Sequence, residues 1–338
     1  MGFEIIGTGR AIPPKRVTND ELAKTLDTND EWIRSHTGIE ARHLVDERTS
    51  CSDLAAESAR NALAMAIEQG TCVEKTVEEL ALTVDMVIVG SSSGDYFCCP
   101  ATACIVQDML GAKNAGAMDI VNACSSFIYA LETGAGLLSV NKGRRRALII
   151  GADVLSRFVD WSDRSTCVLF GDGAGAVLLE KTDTQSGVLR AILGADGSGA
   201  EDLIMRKGGS RDPFKKGDAF AVPPHIEMNG RAVYVFAVNA IAETITKLLD
   251  AEHLTIEDIA LIVPHQANAR IVQAAAKRLA LPEEKFFLNI AEYANTSSAS
   301  IPIALDELNR SGRLRKGDHI LCVAFGAGLT YGGALIRW

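Results

Sequence analysis

The chain has 338 residues, enough for two sizeable cores or one large double domain, with 47% hydrophobic and 23% charged residues. A formal net charge of −9 excludes nucleic acid as the main partner, since phosphate binding needs a basic surface. Met1–Ile6 lacks the basic and long apolar regions of a secretory signal, no apolar run approaches the length of a membrane span, and the eight cysteines show no CxxC pair. Reduced thiols in the cytoplasm are expected, with no membrane association, no disulfide framework and no metal site.

Residues 3–7 read as a first strand, followed by Gly7-Thr8-Gly9 and then Pro13-Pro14. A Gly-x-Gly after a strand hints at dinucleotide binding, but the third glycine is missing and the prolines stop the helix that would hold a pyrophosphate. A structural turn is expected there. Helices follow: one capped by Asn19 or Asp20 and running through Leu26, one around Asp30–His36, and an amphipathic one over 51–69. A buried strand at Val84–Val89 precedes a helix over 98–111. The apolar run 117–123 then ends at Cys124, and helical spacing begins at once with Phe127, Leu131, Ala135 and Leu138. This predicts a buried strand turning directly into a helix with a thiol at the junction, where free backbone N–H groups and the helix dipole favour thiolate.

A further strand is centred on Ala147–Ile150, and the glycine-dense stretch 170–175 feeds another. That stretch lacks the Lys and Ser/Thr of a phosphate cradle and reads as close backbone packing. Gly, Lys, Arg, Asp and Pro cluster over 196–224, predicting a loop or flap. A long helix (Val233–Leu249), a strand (Ile259–Val263), a helix (Ala267–Leu279) and a strand pair (His319–Ala324, Gly332–Trp338) repeat the alternation. Strands alternating with helices predict an α/β fold with a largely parallel sheet. The same plan recurs at Cys124 and at His265, which predicts an internal duplication.

His265 lies just past a buried strand and before a helix with apolar Ile271, Ala275 and Leu279, and Asn295 opens the small-residue loop to Pro302. Such junctions are where open α/β sheets gather chemistry. A Cys/His/Asn set can supply a thiolate nucleophile with His and Asn donating to a developing oxyanion. Papain-like hydrolases use the same residue types, so composition alone leaves acyl transfer and hydrolysis open.

The segments Asn122-Ala123-Cys124-Ser125-Ser126, Val263-Pro264-His265-Gln266-Ala267-Asn268 and Ala294–Pro302 resemble β-ketoacyl-acyl carrier protein synthase III. So do Asp30-Glu31-Trp32-Ile33, Phe170–Ala176 and Phe325–Gly332, and the motifs follow the family's order along the whole chain. The resemblance implies a thiolase-like fold, a duplicated αβαβα five-layer sandwich in a homodimer. Its halves would be 1–180, carrying the cysteine, and 181–338, carrying the histidine, the asparagine and the 196–224 flap.

It further implies that Cys124 takes an acyl group from acyl-CoA as a thioester. Malonyl-acyl carrier protein then loses CO2 and its carbanion attacks that thioester, giving 3-oxoacyl-carrier protein and initiating fatty acid biosynthesis. Nε2 of His265 and the Asn295 amide would stabilise the charge that decarboxylation builds. No cofactor is implied, since acyl-CoA and malonyl-carrier protein are substrates. The N–H groups of Cys124 and Ala327 would form the acyl oxyanion hole, Ala327 standing where the family usually has glycine.

Trp32 and Arg164 match positions that sandwich the CoA adenine, His36 stands where an arginine commonly contacts CoA phosphates, and Asn268 matches a residue bonding the pantetheine end. Arg270, Lys277 and Arg278 lie where the family docks the acidic carrier protein. Cys99 matches a position reaching the neighbouring subunit's acyl pocket, often Phe in acetyl-preferring enzymes, so starters beyond acetyl are expected. A condensing or acyl-transferring relative of specialised metabolism shares the Cys/His/Asn set and stays open here. A non-enzymatic subunit would be expected to lose one of the three, and hydroxymethylglutaryl-CoA synthases need an added carboxylate near the nucleophile that finds no match.

Overall fold

The computed structural model describes residues 2–215 and 224–338. Nine strands, numbered along the chain, form the main sheet: β1 (Gly2–Ala11), β2 (Met86–Gly90), β3 (Gly116–Ile120), β4 (Arg146–Val154), β5 (Asp172–Thr182), β6 (Gly187–Ala195), β7 (Ile259–Pro264), β8 (His319–Gly326) and β9 (Thr330–Arg337). Their spatial order is β7-β8-β9-β6-β1-β5-β4-β2-β3. β1 and β6 meet through a single parallel pairing, Phe3 with Gly187. The sheet therefore divides there into β1-β5-β4-β2-β3 and β6-β9-β8-β7.

Both parts follow one scheme, and it is mixed where a largely parallel sheet was expected, because each part turns back on itself through two long antiparallel pairings. β2/β4 and β7/β8 are parallel, β4/β5 and β8/β9 antiparallel, and β1/β5 and β6/β9 antiparallel. Among the described residues, the second sheet has no counterpart to β3.

Six long helices complete the layers: α1 (Cys51–Glu68), α2 (Thr102–Met109), α3 (Ser126–Val140), α4 (Gly230–Glu252), α5 (Ala269–Arg278) and α6 (Ser300–Arg310). α1 and α2 cover the outer face of the first sheet, α4 and α5 that of the second, and α3 and α6 lie between the sheets. This is the duplicated five-layer α/β sandwich. α1 can lie close because its buried stripe is rich in alanine (Ala55, Ala59, Ala62, Ala66). Gly7 and Gly9, expected in a turn, lie inside β1, where a Cβ would come within 2.3 Å of the α1 backbone, and α6 and the turn before it sit comparably close to the sheet. Gly151 and Gly175 pair across β4 and β5, where a Cβ would come within 2.2 Å of Ser298 O and 2.6 Å of Ile303 N. The glycine-dense stretch thus serves close backbone packing.

Two further expectations change. Among the described residues, Ala123–Val140 and Gly230–Glu252 are long and apolar enough to cross a membrane by length and composition alone, so such runs do exist. Here both belong to the layers. α3 is apolar on most sides because it faces a sheet on each, and α4 buries Val233, Ala237, Ile241 and Leu248 on β8 and β9. Secondly, the strand expected to be buried at 117–123 is the sheet edge β3, paired only with β2 and partly exposed along its length. An apolar run does not distinguish a central strand from an edge.

Candidate active site

The chain leaves β3 at Ile120, makes a 3-10 turn over Ala123–Ser125 and enters α3 at Ser126, with Cys124 in that turn. Ala123 has φ +49°, and the turn is pinned by Asn122 N–H donating to Ser126 Oγ (2.8 Å) and by Ser126 Oγ–H donating to Ala123 O (2.7 Å). β8 ends directly against it. A Cβ on Gly326 would lie 2.7 Å from the Cys124 nitrogen, so only glycine admits this approach. Ala327 follows with an ordinary negative φ, and Gly328 carries the left-handed angle (φ +125°). A Cβ at 327 is therefore compatible with the backbone.

His265 begins the turn after β7, its N–H donating to Val323 O (2.8 Å). The residue is 1% exposed, and its ring meets Phe325 edge-on at 5.3 Å. Nδ1 lies 2.7 Å from Ser300 Oγ, whereas Nε2 is buried with no hydrogen-bond partner among the described residues. Asn295 is 6% exposed, its backbone held between Leu169 O (2.9 Å) and Gly171 N (3.0 Å). Its Oδ1 accepts from Ser297 N–H (2.8 Å), which leaves the Nδ2 hydrogens for the cavity. Cys124, His265, Asn295 and Phe325 line one cleft of about 240 Å3. Behind Cys124 a cavity of about 110 Å3 is lined by Ala123, Phe158, Leu203, Ser297 and Ala327.

Burial pushes the Cys124 thiol up to about 12, the Ser297 side chain acting against the rise and the Asp153 charge adding to it. The expected thiolate is thus corrected to a resting thiol. A helix end contributes up to about 2 kcal/mol at a partly buried site, about 1.5 pKa units, and burial outweighs it. Burial also lowers the His265 imidazole to about 3, so it is neutral at physiological pH.

The outer cleft holds the remaining residues. Asn29 caps the helix Asp30–Thr37 by accepting from Trp32 N–H (2.7 Å), and that helix presents Trp32 and His36 stacked at 4.5 Å. The Arg164 guanidinium lies 5.5 Å over the indole and donates to Asp27 O. A ring entering between Trp32 and Arg164 must displace it. Asn268 caps α5 through Arg270 N–H (2.9 Å) and donates to His36 O (3.1 Å), which ties α5 to the Trp32 helix. Arg270, Lys277 and Arg278 are exposed on α5, Arg270 near the cleft and the other two in the last turn. Cys99 is exposed and lines neither cavity at Cys124.

The expected loop 196–224 holds in part: 205–215 form no helix or strand, while Gly197–Asp202 make a 3-10 helix. Leu203–Ile204 pairs with Glu227–Met228, and Leu203 borders both cavities; 216–223 lie outside the described residues. Among the described residues, no group of three or more His, Cys, Asp or Glu side chains could hold a metal ion.

Sequence reasoning missed Asp153, at the end of β4. Its Oδ1 accepts from Ser91 Oγ (3.1 Å), Ser92 N (2.8 Å), Ser93 N (3.0 Å) and Ser93 Oγ (2.7 Å), and its Oδ2 from Ser298 N (3.1 Å) and Ser298 Oγ (2.7 Å). It ties the Asn295 loop to the first half. A lone Asp at a strand end gave no signal of this.

A duplicated five-layer sandwich with cysteine, histidine and asparagine on one cleft is the arrangement of a thiolase-fold condensing acyltransferase. Residues 118–197 match the family 3-oxoacyl-[acyl-carrier-protein] synthase III, and 249–338 match its C-terminal family. A β-ketoacyl-[acyl-carrier-protein] synthase III of Clostridium perfringens (strain SM101 / Type A) is 47% identical over 335 residues, 99% of this chain and 98% of that protein. The crystal structure of 3-oxoacyl-[acyl-carrier-protein] synthase III from Aquifex aeolicus VF5 superposes with a TM-score of 0.87 at 40% identity, covering 100% of both chains. That of the Thermus thermophilus enzyme gives 0.88 at 39% identity over 99% of each. The chain belongs to the β-ketoacyl-[acyl-carrier-protein] synthase III family.

Proposed function

We propose that the chain primes fatty acid biosynthesis by joining an acyl-CoA starter to malonyl-acyl carrier protein, with Cys124 as nucleophile and His265 and Asn295 as the enolate-stabilising pair. The observation that carries this assignment is one cleft holding a thiol, a neutral imidazole and an amide whose oxygen is taken by Ser297 N–H. The Cys124 sulfur attacks the acyl-CoA carbonyl, the CoA sulfur leaves with the thiol proton, and the acyl group rests on Cys124. The oxyanion of that step is held by the N–H groups of Cys124 and Ala327.

Malonyl-carrier protein then enters. Its carboxylate departs as CO2, and negative charge builds on its thioester oxygen. His265 Nε2–H and Asn295 Nδ2–H donate to that oxygen, a role a neutral imidazole fills without exchanging a proton. The enolate carbon attacks the Cys124 thioester and expels the sulfur as thiolate. Burial raises that thiol's pKa, so the thiolate takes one proton from solvent, which balances the charge the malonyl carboxylate brought in, and the resting state is restored.

CoA lies along the outer cleft, its adenine against Trp32 and Arg164, its phosphates toward His36 and its pantetheine past Asn268. The carrier protein docks on Arg270, Lys277 and Arg278, exposed cations suited to an acidic partner. The acyl chain fills the cavity behind Cys124. A homodimer forms through the edge β3 and the adjacent loop, where Tyr96 (60%), Phe97 (63%) and Val121 (73%) are exposed, and Cys99 of one copy reaches the acyl pocket of the other. Its place is the cytoplasm, and all eight cysteines are unpaired. No cofactor takes part in these steps.

Intact-protein mass after mixing with acetyl-, isobutyryl-, butyryl- and octanoyl-CoA, then with malonyl-acyl carrier protein, tests the reading. An acyl adduct is expected on the wild type and not on Cys124→Ala, and it is expected to disappear as 3-oxoacyl-carrier protein and CO2 form. An adduct that malonyl-carrier protein leaves untouched sinks the acceptor assignment, and an adduct lost to water alone makes the enzyme a hydrolase. Light scattering that gives the mass of one chain sinks the dimer.

A further inference from the structure

His265 has a tautomer to choose, and only one neighbour with which to choose it. Ser300, the first residue of α6, places its hydroxyl oxygen 2.7 Å from Nδ1, and the residue is 2% exposed. Among the described residues neither Nδ1 nor Ser300 Oγ has another hydrogen-bond partner. Two arrangements are open. If the ring carried its hydrogen on Nδ1, it would donate to Oγ, and the buried hydroxyl hydrogen would need an acceptor that no described residue supplies. If the hydroxyl donates to Nδ1, that hydrogen is satisfied and the ring hydrogen sits on Nε2, the nitrogen at the cleft. Leaving a buried hydroxyl donor unmade is the costlier choice.

We infer that Ser300 is a positioning residue that fixes His265 as the Nε2–H tautomer, so that His265 offers the cleft a donor and not a base. This rests on the reading above, in which His265 and Asn295 donate together to the malonyl thioester oxygen. It also explains the placing of Ser300. α6 is seated on Gly151 and Gly175, so the hydroxyl that orients the ring is carried by a helix with no freedom to retreat. Asn295 is oriented in the parallel way, by Ser297 N–H on its Oδ1. In the opposite tautomer Nε2 would be an acceptor facing the thioester oxygen, a repulsive contact that grows as charge develops.

The test is long-range 1H–15N correlation on the 15N-histidine-labelled enzyme, with the His265 signals assigned by their loss in His265→Gln. The wild type is expected to show the Nε2–H pattern. Ser300→Ala is expected to mix the two tautomers and Ser300→Thr to restore one. In kinetics, acyl-adduct formation from acyl-CoA by Ser300→Ala is expected to stay within about 2-fold of wild type. CO2 release from malonyl-carrier protein is expected to fall about 10-fold, the worth of one buried hydrogen bond, with recovery in Ser300→Thr. A wild-type Nδ1–H pattern, or a Ser300→Ala spectrum like that of the wild type, overturns the inference. So does a mixed tautomer with unchanged CO2 release. Failure of the wild type to form any adduct would overturn the functional reading instead, since the spectrum needs no substrate.

Discussion

Asp153 and His265 are both buried and polar, and the protein treats them in opposite ways. Around Asp153 four donors of the Ser91–Ser93 turn and two of Ser298 converge on one carboxylate. At His265 one nitrogen is held and the other is left with nothing. A satisfied buried network adds rigidity and fixes one arrangement. A buried donor without a partner is a free-energy debt that only a ligand oxygen settles. The contrast separates the residues that hold the cleft's shape from those that act inside it, although Ser297 and Ser298 are neighbours and serve one each.

Substitutions sharpen this division. The largest effect is expected at the reacting atom: Cys124→Ala should lower condensation by about ten-thousand-fold or more, read as CO2 and 3-oxoacyl product, with the fold intact by circular dichroism. His265→Ala should form the acyl adduct yet lose about 100–1000-fold in malonyl decarboxylation, the usual loss for one oxyanion-type donor. Asp153→Ala strikes the other kind of site. It strands several buried donors and should cost about 3–5 kcal/mol in urea unfolding, with activity lost in proportion to unfolded protein at the assay temperature.

The next effect is read in pH. The unfolded imidazole binds a proton below about 6.5, while the folded one resists it until about 3. Between those values the unfolded state carries more protons, so folding stability falls as pH falls, by up to about 1.4 kcal/mol per unit from this group. Urea titrations from pH 7 to pH 4 should show a shallower loss in His265→Gln than in wild type, and equal slopes would break the assignment. The thiol offers the converse check. With Cys124 pushed up to about 12, its alkylation by iodoacetamide should keep climbing, about tenfold per unit, through pH 9 and 10; a plateau below pH 9 contradicts it. The smallest change is expected at Trp32→Ala, a rise of about 5–10-fold in KM for acyl-CoA with adduct formation at saturation unchanged.

The residues that act inside the cleft were already legible in the chain. Cys124, His265 and Asn295 stand at strand–helix junctions with distinctive neighbours, and periodicity finds such junctions. The holding residues were not legible. Ser298 and Ser300 are indistinguishable as letters, yet one hydroxyl faces Asp153 and the other His265, because a 3-10 turn and a helix start rotate them through different angles, while Ser297 holds Asn295 through its backbone N–H. The thiolate expected at Cys124 failed for a related reason, since proximity to a helix end is visible in sequence and the depth of burial is not. At β3 the apolar letters were read correctly and the position at the sheet edge was not, because strand order is a property of the whole chain.

The register of β1 has a consequence for synthesis. Gly2 pairs with Thr182 and Ala11 with Ala174, and on its other side Phe3 meets Gly187. None of these partners exists when the first ten residues leave the ribosome. At a typical elongation rate the strand waits about 10–30 s for them. Through that interval the growing chain carries an unpaired strand that cannot close its sheet, and translation speed across residues 12–187 sets how long it stays exposed.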